Sequence, residues 1–231
     1  MRGGRLEEAE RHDVHSRPQW VTDYADLHDR ELVIEAAPEN EDLKFSIFRT
    51  LDEAVQPGAI LASNTSSIPL VKMAAVTKRP SQVVGVHFFN PVPVLPLVEI
   101  VQSLLTSAET LEAVTTFAEK QLGKTTIRSK DRAGFVVNAL LIPYILSAVR
   151  MMESGFASAE DIDEGMVKGC AHPMGPLHLA DLIGLDTCAA VATSMYAEFK
   201  EQLFAPPPLL LRMCEAGLLG RKTGQGFFSY A

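Results

Sequence analysis

The chain has 231 residues, 47% apolar and 22% charged, with a formal net charge of −8. This length can bury a sizeable core in one large or two small domains. The acidic balance, with no long basic run, excludes a general nucleic-acid or membrane-surface binder. The three cysteines, Cys170, Cys188 and Cys214, have no CxxC or CxxH spacing, which excludes a disulfide framework or a zinc site. They predict reduced core thiols in a cytosolic compartment.

The opening run MRGGRLEEAERHDVHSR is charged and lacks an apolar stretch, so it does not read as a signal peptide. Residues 5–15 suit a helix but offer almost no apolar face, as expected of an element that belongs to something larger. Residues 19–22 suit a short strand. Residues 32–37, LVIEAA, form an apolar strand carrying Glu35. Residues 41–55 place Leu43, Ile47, Leu51, Ala54 and Val55 at helical spacing and stop at Pro57-Gly58. A second buried strand, 59–62, leads into the polar turn Ser63-Asn64-Thr65-Ser66-Ser67. A short helix at 68–76 and an apolar strand at 83–89 follow.

Alternating apolar strands and helices predict parallel βαβ units with helices on both faces. In such sheets ligands collect at the carboxyl ends of the strands. Glu35, the run from Asn64 to Ser67, and His87 with Asn90 all fall at those ends. Just beyond, a second apolar run at 97–101 carries a lone acid, Glu99. A histidine suits proton transfer near neutral pH, and a carboxylate on its other ring nitrogen fixes the tautomer. A satisfied core histidine and a strand-edge charge would leave the same residues.

From Thr106 the pattern changes. Thr106-Ser107-Ala108-Glu109 reads as a capping box for a helix that ends at Gly123, and residues 125–129 suit a short strand. Lys130-Asp131-Arg132 marks the expected domain boundary, dividing 1–129 from 130–231. Beyond it the reading is helical, starting with a run at 137–152 that Pro143 should kink. The uncharged stretch 133–149 is shorter than the ~20 residues of a membrane span and contains Asn138, so a buried helix is expected. Ser158 opens another helix, and a third is expected from Leu177 to about Phe199. The chain ends in a basic, glycine-rich turn, GRKTGQG, with an aromatic tail.

Together, IEAAPEN, ASNTSSIP, HFFNPVPVLPLVEIV, DRAGFVVNALLIPYI, AHPMGPLHLADLIGLDT and LGRKTGQGFFSY closely resemble the NAD-dependent 3-hydroxyacyl-CoA dehydrogenase family, over essentially the whole chain. The resemblance implies an α/β fold: an incomplete Rossmann-type parallel sheet followed by an all-helical C-terminal domain. It implies a cytoplasmic homodimer, joined through the helices, that oxidises a short-chain 3-hydroxyacyl-CoA with NAD, or runs the reverse reduction, in fatty-acid or butanoate metabolism. His87 would be the base, Glu99 its orienter, and Ser66 and Asn138 the groups that hold the substrate's oxygens. Asn64 and Asn90 would lie against the nicotinamide ribose and amide with Glu35 nearby, and Lys222 would reach back to the cofactor.

The sequence departs from the family's pattern in one respect. No GxGxxG follows a strand anywhere in the chain, although the dinucleotide fingerprint requires one. The expectation is therefore a chain that starts downstream of the family's first strands, with strand 32–37 presenting an unpaired apolar edge and NAD bound weakly. The alternative is a short, catalytically silent protein that dimerises or binds CoA thioesters.

Overall fold

The computed structural model describes residues 8–230. The polar start forms helix α1 (Glu8–Ser16); residues 5–7 of the expected helix lie outside the described residues. No strand forms at 19–22. Trp20 is 90% exposed, and the chain passes instead into the 3₁₀ turn Tyr24–Leu27. Strand propensity expresses itself only where a neighbouring strand or a core receives the side chains.

The sheet is built from β1 (Leu32–Glu35), β2 (Ile60–Ser63), β3 (Val83–Phe88), β4 (Leu97–Gln102) and β5 (Thr125–Lys130), side by side in that order. Helix α2 (Glu41–Ala54), started by the Asn40 side chain on the Leu43 N–H, joins β1 to β2, and α3 (Leu70–Ala75) joins β2 to β3. Both of these crossovers give parallel pairs, as expected. β4 runs antiparallel to β3. The connection at 89–96 is too short for a parallel crossover, which takes roughly a dozen residues or more. α4 (Ala108–Thr116) and a π-helical turn, Phe117–Gln121, then carry the chain to β5, which is again parallel to β4. The cap of α4 is Ser107 on Thr110 N–H, not Thr106. The Thr106 hydroxyl is taken by Val83 O at 2.7 Å, where it ties the turn after β4 to the start of β3.

Each face of the sheet has its own core. Phe48, Leu51, Leu61, Leu70, Met73 and Val101 fill one, under α2 and α3. Val84, Val86, Val98, Ile100, Leu111 and Val114 fill the other, under α4. The buried stripe of α2 is Lys44, Phe48 and Leu51; Leu43, expected on it, is exposed. Among the described residues β1 pairs only with β2, and its Leu32, Val33 and Ile34 are half-buried. In β3, Gly85 allows α3 and β4 to close on the strand: a Cβ there would lie 2.7 Å from Leu70 Cδ1 and 2.8 Å from Val101 Cβ. Gly85→Ala is expected to cost about 1–3 kcal/mol by overpacking, read as a lower denaturant midpoint at unchanged m-value.

The second half packs α5 (Val137–Glu153), α6 (Ala159–Cys170), α7 (Pro176–Ile183), α8 (Leu185–Phe199) and α9 (Pro208–Glu215) around one apolar core that includes Ile145, Leu146, Leu177, Leu185 and Met195. Pro143 is accommodated inside α5. The helix expected from Leu177 to Phe199 is two helices, because Gly184 adopts φ 104, ψ 126, a conformation outside any helix. α9 was not expected. Of the cysteines only Cys188 is fully buried; Cys170 is exposed at the end of α6, which corrects its assignment to the core. Burial pushes the Cys188 thiol up to about 12.

Candidate active site

The carboxyl ends of β1, β2 and β3 lie together because the parallel register aligns Glu35 with Ser63 and Ser63 with Gly85. His87 stands two residues beyond that row, near the end of β3. The antiparallel register places Glu99 of β4 directly opposite it. His87 Nδ1 and Glu99 Oε2 are 2.7 Å apart. Glu99 is completely buried and His87 is 7% exposed.

A buried carboxylate requires donors on both oxygens. Glu99 Oε1 accepts the N–H groups of Val136 and Val137, at 3.1 and 3.0 Å, from the first turn of α5. A helix N-terminus favours negative charge, so the Val136 and Val137 N–H groups leave Glu99 Oε2 to accept from His87 Nδ1. The Nδ1 of His87 then carries the proton, and the lone pair of Nε2 is left to accept another.

The turn that delivers those amides is unusual. Gly134 has φ 81 and Phe135 has φ 47, the left-handed region, which costs a non-glycine residue roughly 1–3 kcal/mol. Asn138 follows Val137 directly and is half-buried in the first turn of α5.

The polar turn after β2 is held from two sides. Asn64 Oδ1 accepts the Phe88 N–H at 2.9 Å, which ties the turn to the end of β3 and leaves the amide NH₂ of Asn64 for another partner. Glu39 Oε1 accepts from the hydroxyls of Thr65 and Ser67 and from the N–H groups of Ser66 and Ser67. The Ser66 hydroxyl is not among the groups Glu39 takes. Partial burial works to raise the Glu39 carboxyl, but the Thr65 and Ser67 hydrogen bonds, the Lys44 charge and the Ser66 N–H together hold it below the ordinary glutamate range. A carboxyl with a depressed folded-state pKa contributes stability above its unfolded value and loses it as pH falls through the folded one. Acidification below the ordinary glutamate range should therefore release this turn before the fold is lost. Amide NMR shifts of Ser66 and Ser67 moving together on acid titration would show it, and Glu39→Gln should abolish that step.

Several expected site residues are placed differently. The Glu35 carboxylate is fully engaged: Lys44 Nζ donates to it at 2.7 and 2.9 Å, the Ser63 hydroxyl donates at 2.7 Å, and the Ala37 N–H also bonds to it. It has no oxygen left for a ligand and acts as a buried strut. Lys222, expected to reach the cofactor, donates two hydrogen bonds to Asp186, at 2.6 Å each, within the helical half. Asn90 is exposed at a cis peptide bond to Pro91. Sequence reasoning missed Glu39, Lys44 and the Val136 and Val137 amides. A lysine on the apolar stripe of α2, in step with Phe48 and Leu51, was the available signal for Lys44.

A second histidine–carboxylate pair, His178 with Asp163 at 2.7 Å, repeats the device, since Asp163 also accepts the Leu177 and His178 N–H groups that open α7. Its imidazole is stacked on Phe228 with centroids 3.6 Å apart, among the helices and not at a strand end.

A sheet whose strand ends carry a carboxylate-oriented histidine, with the Asn64 amide tied to the same strand end, suits proton abstraction coupled to hydride transfer onto a nicotinamide cofactor. The donor set suits the nicotinamide end of the cofactor; no GxGxxG turn for its pyrophosphate occurs in the sequence. Residues 1–132 match the family described as 3-hydroxyacyl-CoA dehydrogenase, NAD binding domain, and residues 134–230 match its C-terminal domain. The 3-hydroxybutyryl-CoA dehydrogenase of Mycobacterium tuberculosis is 56% identical over 98% of this chain and 80% of its own length. The crystal structure of M. tuberculosis FadB2 superposes with a TM-score of 0.96 at 56% identity, covering 98% of this chain and 80% of that one. That of (S)-3-hydroxybutyryl-CoA dehydrogenase PaaH1 from Ralstonia eutropha gives 0.91 at 49%, with the same coverage. The chain belongs to the 3-hydroxyacyl-CoA dehydrogenase family, the NAD-dependent oxidoreductases that interconvert 3-hydroxyacyl-CoA and 3-ketoacyl-CoA thioesters.

Proposed function

We propose that the substrate is a short-chain 3-hydroxyacyl-CoA, such as 3-hydroxybutyryl-CoA, and that His87 is the base that takes the proton of its 3-hydroxyl. The observation that carries this reading is the 2.7 Å bond from His87 Nδ1 to a Glu99 whose other oxygen is held by α5. That arrangement leaves Nε2 as acceptor and stabilises the imidazolium once the proton arrives. NAD, when bound, supplies the hydride acceptor. Ser66, on the clipped turn, and Asn138, next to Val137, hold the substrate's oxygens; Asn64 and Asn90 face the nicotinamide side. Glu35 and Lys44 act at a distance, by fixing the loops that carry these groups. Lys222, paired with Asp186, keeps a third N–H to offer the cofactor.

The units are 1–129 and 130–231, and two copies join through the helices, where Leu140, Met151 and Phe156 are exposed apolar residues. Among the described residues no helix is long and apolar enough to cross a membrane, and we place the enzyme in the cytoplasm. The test is NADH oxidation by residues 1–231 with acetoacetyl-CoA, set against NADPH and against a longer acyl chain. Turnover at saturating NADH equal to that of a His87→Ala control would defeat the reading.

A further inference from the structure

We propose that Phe135, on the turn between the sheet and the helices, is a positioning residue for the His87–Glu99 pair; the functional half of this inference rests on His87 being the base. Phe135 is buried in the same cluster as Leu70 and Val101, so it is anchored in the sheet's core although it belongs to the segment leading into α5. Its ring meets the His87 imidazole edge-on, centroids 5.5 Å apart at 63°, and Phe89 meets the same imidazole at 4.7 Å and 61°. An imidazole bonded through one nitrogen can still swing about its side-chain torsions. Two aromatic contacts in addition to the Glu99 bond leave it one orientation.

The backbone of Phe135 does a second task. At φ 47 it turns the chain so that the next two N–H groups, of Val136 and Val137, point at Glu99 Oε1. One residue therefore sets the base through its ring and the orienter through its backbone. Glycine would adopt this backbone without strain. A strained phenylalanine, held in place by its buried ring, is the kind of outlier that marks a functional constraint. The turn thereby holds both members of the pair.

The test uses the full 231-residue chain and two variants. Phe135→Leu keeps buried bulk without the ring; Phe135→Gly removes the ring and permits the φ 47 backbone without strain. The direct readout is the proton NMR resonance of His87 Nδ1–H, which a buried carboxylate partner moves far downfield and protects from exchange, assigned by its absence in His87→Ala. Both variants are expected to broaden or lose this signal while circular dichroism stays unchanged. The turnover of each should fall by about tenfold or more with KM for both substrates nearly constant, the split expected when only transition-state geometry is affected. A purely structural role would lower the melting temperature and leave the resonance and the kcat-to-KM split alone. The proposal is overturned if both folded variants retain the resonance, if they lose it at wild-type turnover, or if the wild-type chain shows no such resonance. Wild-type turnover in His87→Ala would sink the catalytic assignment separately, without touching the NMR result.

Discussion

His87→Ala is expected to lower turnover by about 10²–10⁴-fold, the range for loss of a positioned general base, with little change in NAD affinity. Removing the His87 ring also leaves Glu99 Oε2 without its partner and Phe135 without a neighbour, so circular dichroism of the variant accompanies the kinetics. Glu99→Gln should lower turnover for a different reason. A neutral amide has one acceptor oxygen, and the Val136 and Val137 N–H groups compete for it. The amide NH₂ is then turned toward His87 Nδ1, which must become the acceptor, and the proton moves to Nε2, the nitrogen that has to be free. A wrong-tautomer substitution of this kind costs a serine protease about 10⁴ in turnover, and a loss of about 10²–10⁴ is expected here. Steady-state kinetics with NAD titration would check both variants. Unchanged turnover in His87→Ala removes the central assignment.

Lys44→Ala is expected to have the largest effect on stability, about 3–5 kcal/mol, because it strands one partner of a buried ion pair. Lys44 and Glu35 have side chains only 1% and 2% exposed. Without the ammonium, Glu35 keeps the Ser63 hydroxyl and the Ala37 N–H but loses its counter-charge, and Ala37 O loses its donor. Glu39, also paired with Lys44 at 3.5 Å, becomes a weaker clip on the Ser66 turn. Urea unfolding would read the loss as a lower midpoint. The double variant Glu35→Leu/Lys44→Met should recover most of it, since replacing both partners of a buried pair by apolar residues is often neutral or stabilising. Recovery of stability without recovery of turnover would separate the strut from the loop it positions.

Much of the fold was legible because it rests on local patterns. The apolar strands, the helical period of α2 and the Ser158 cap of α6 were read within a residue or two of where they fall. The misses share a cause. Residues 19–22 look like a strand until it is known that no strand among the described residues pairs with them. Leu177 to Phe199 looks like one helix because Gly184 costs only about 1 kcal/mol against alanine inside a helix, and whether the chain takes a helical or an extended φ there depends on the packing around it. Leu43 was preferred to Lys44 for the buried stripe because burial of a lysine is favourable only with a partner, and Glu35 sits nine residues away on a different element.

The site divides along the same line. The sequence by itself determined where polar side chains border apolar runs: His87, Asn64 and Ser66 fall at or after the ends of such runs and Glu99 interrupts one, and that needs no tertiary information. The geometry among them was decided only by the tertiary structure. The antiparallel turn from β3 to β4 sets His87 opposite Glu99. The arrival of α5 provides the second set of donors for Glu99. The buried Lys44 takes Glu35 out of ligand binding, and Asp186 holds Lys222. The physical reason is that a histidine's tautomer, a carboxylate's charge and a lysine's reach depend on which donors and acceptors lie within about 3 Å, and those partners come from segments far apart in the chain.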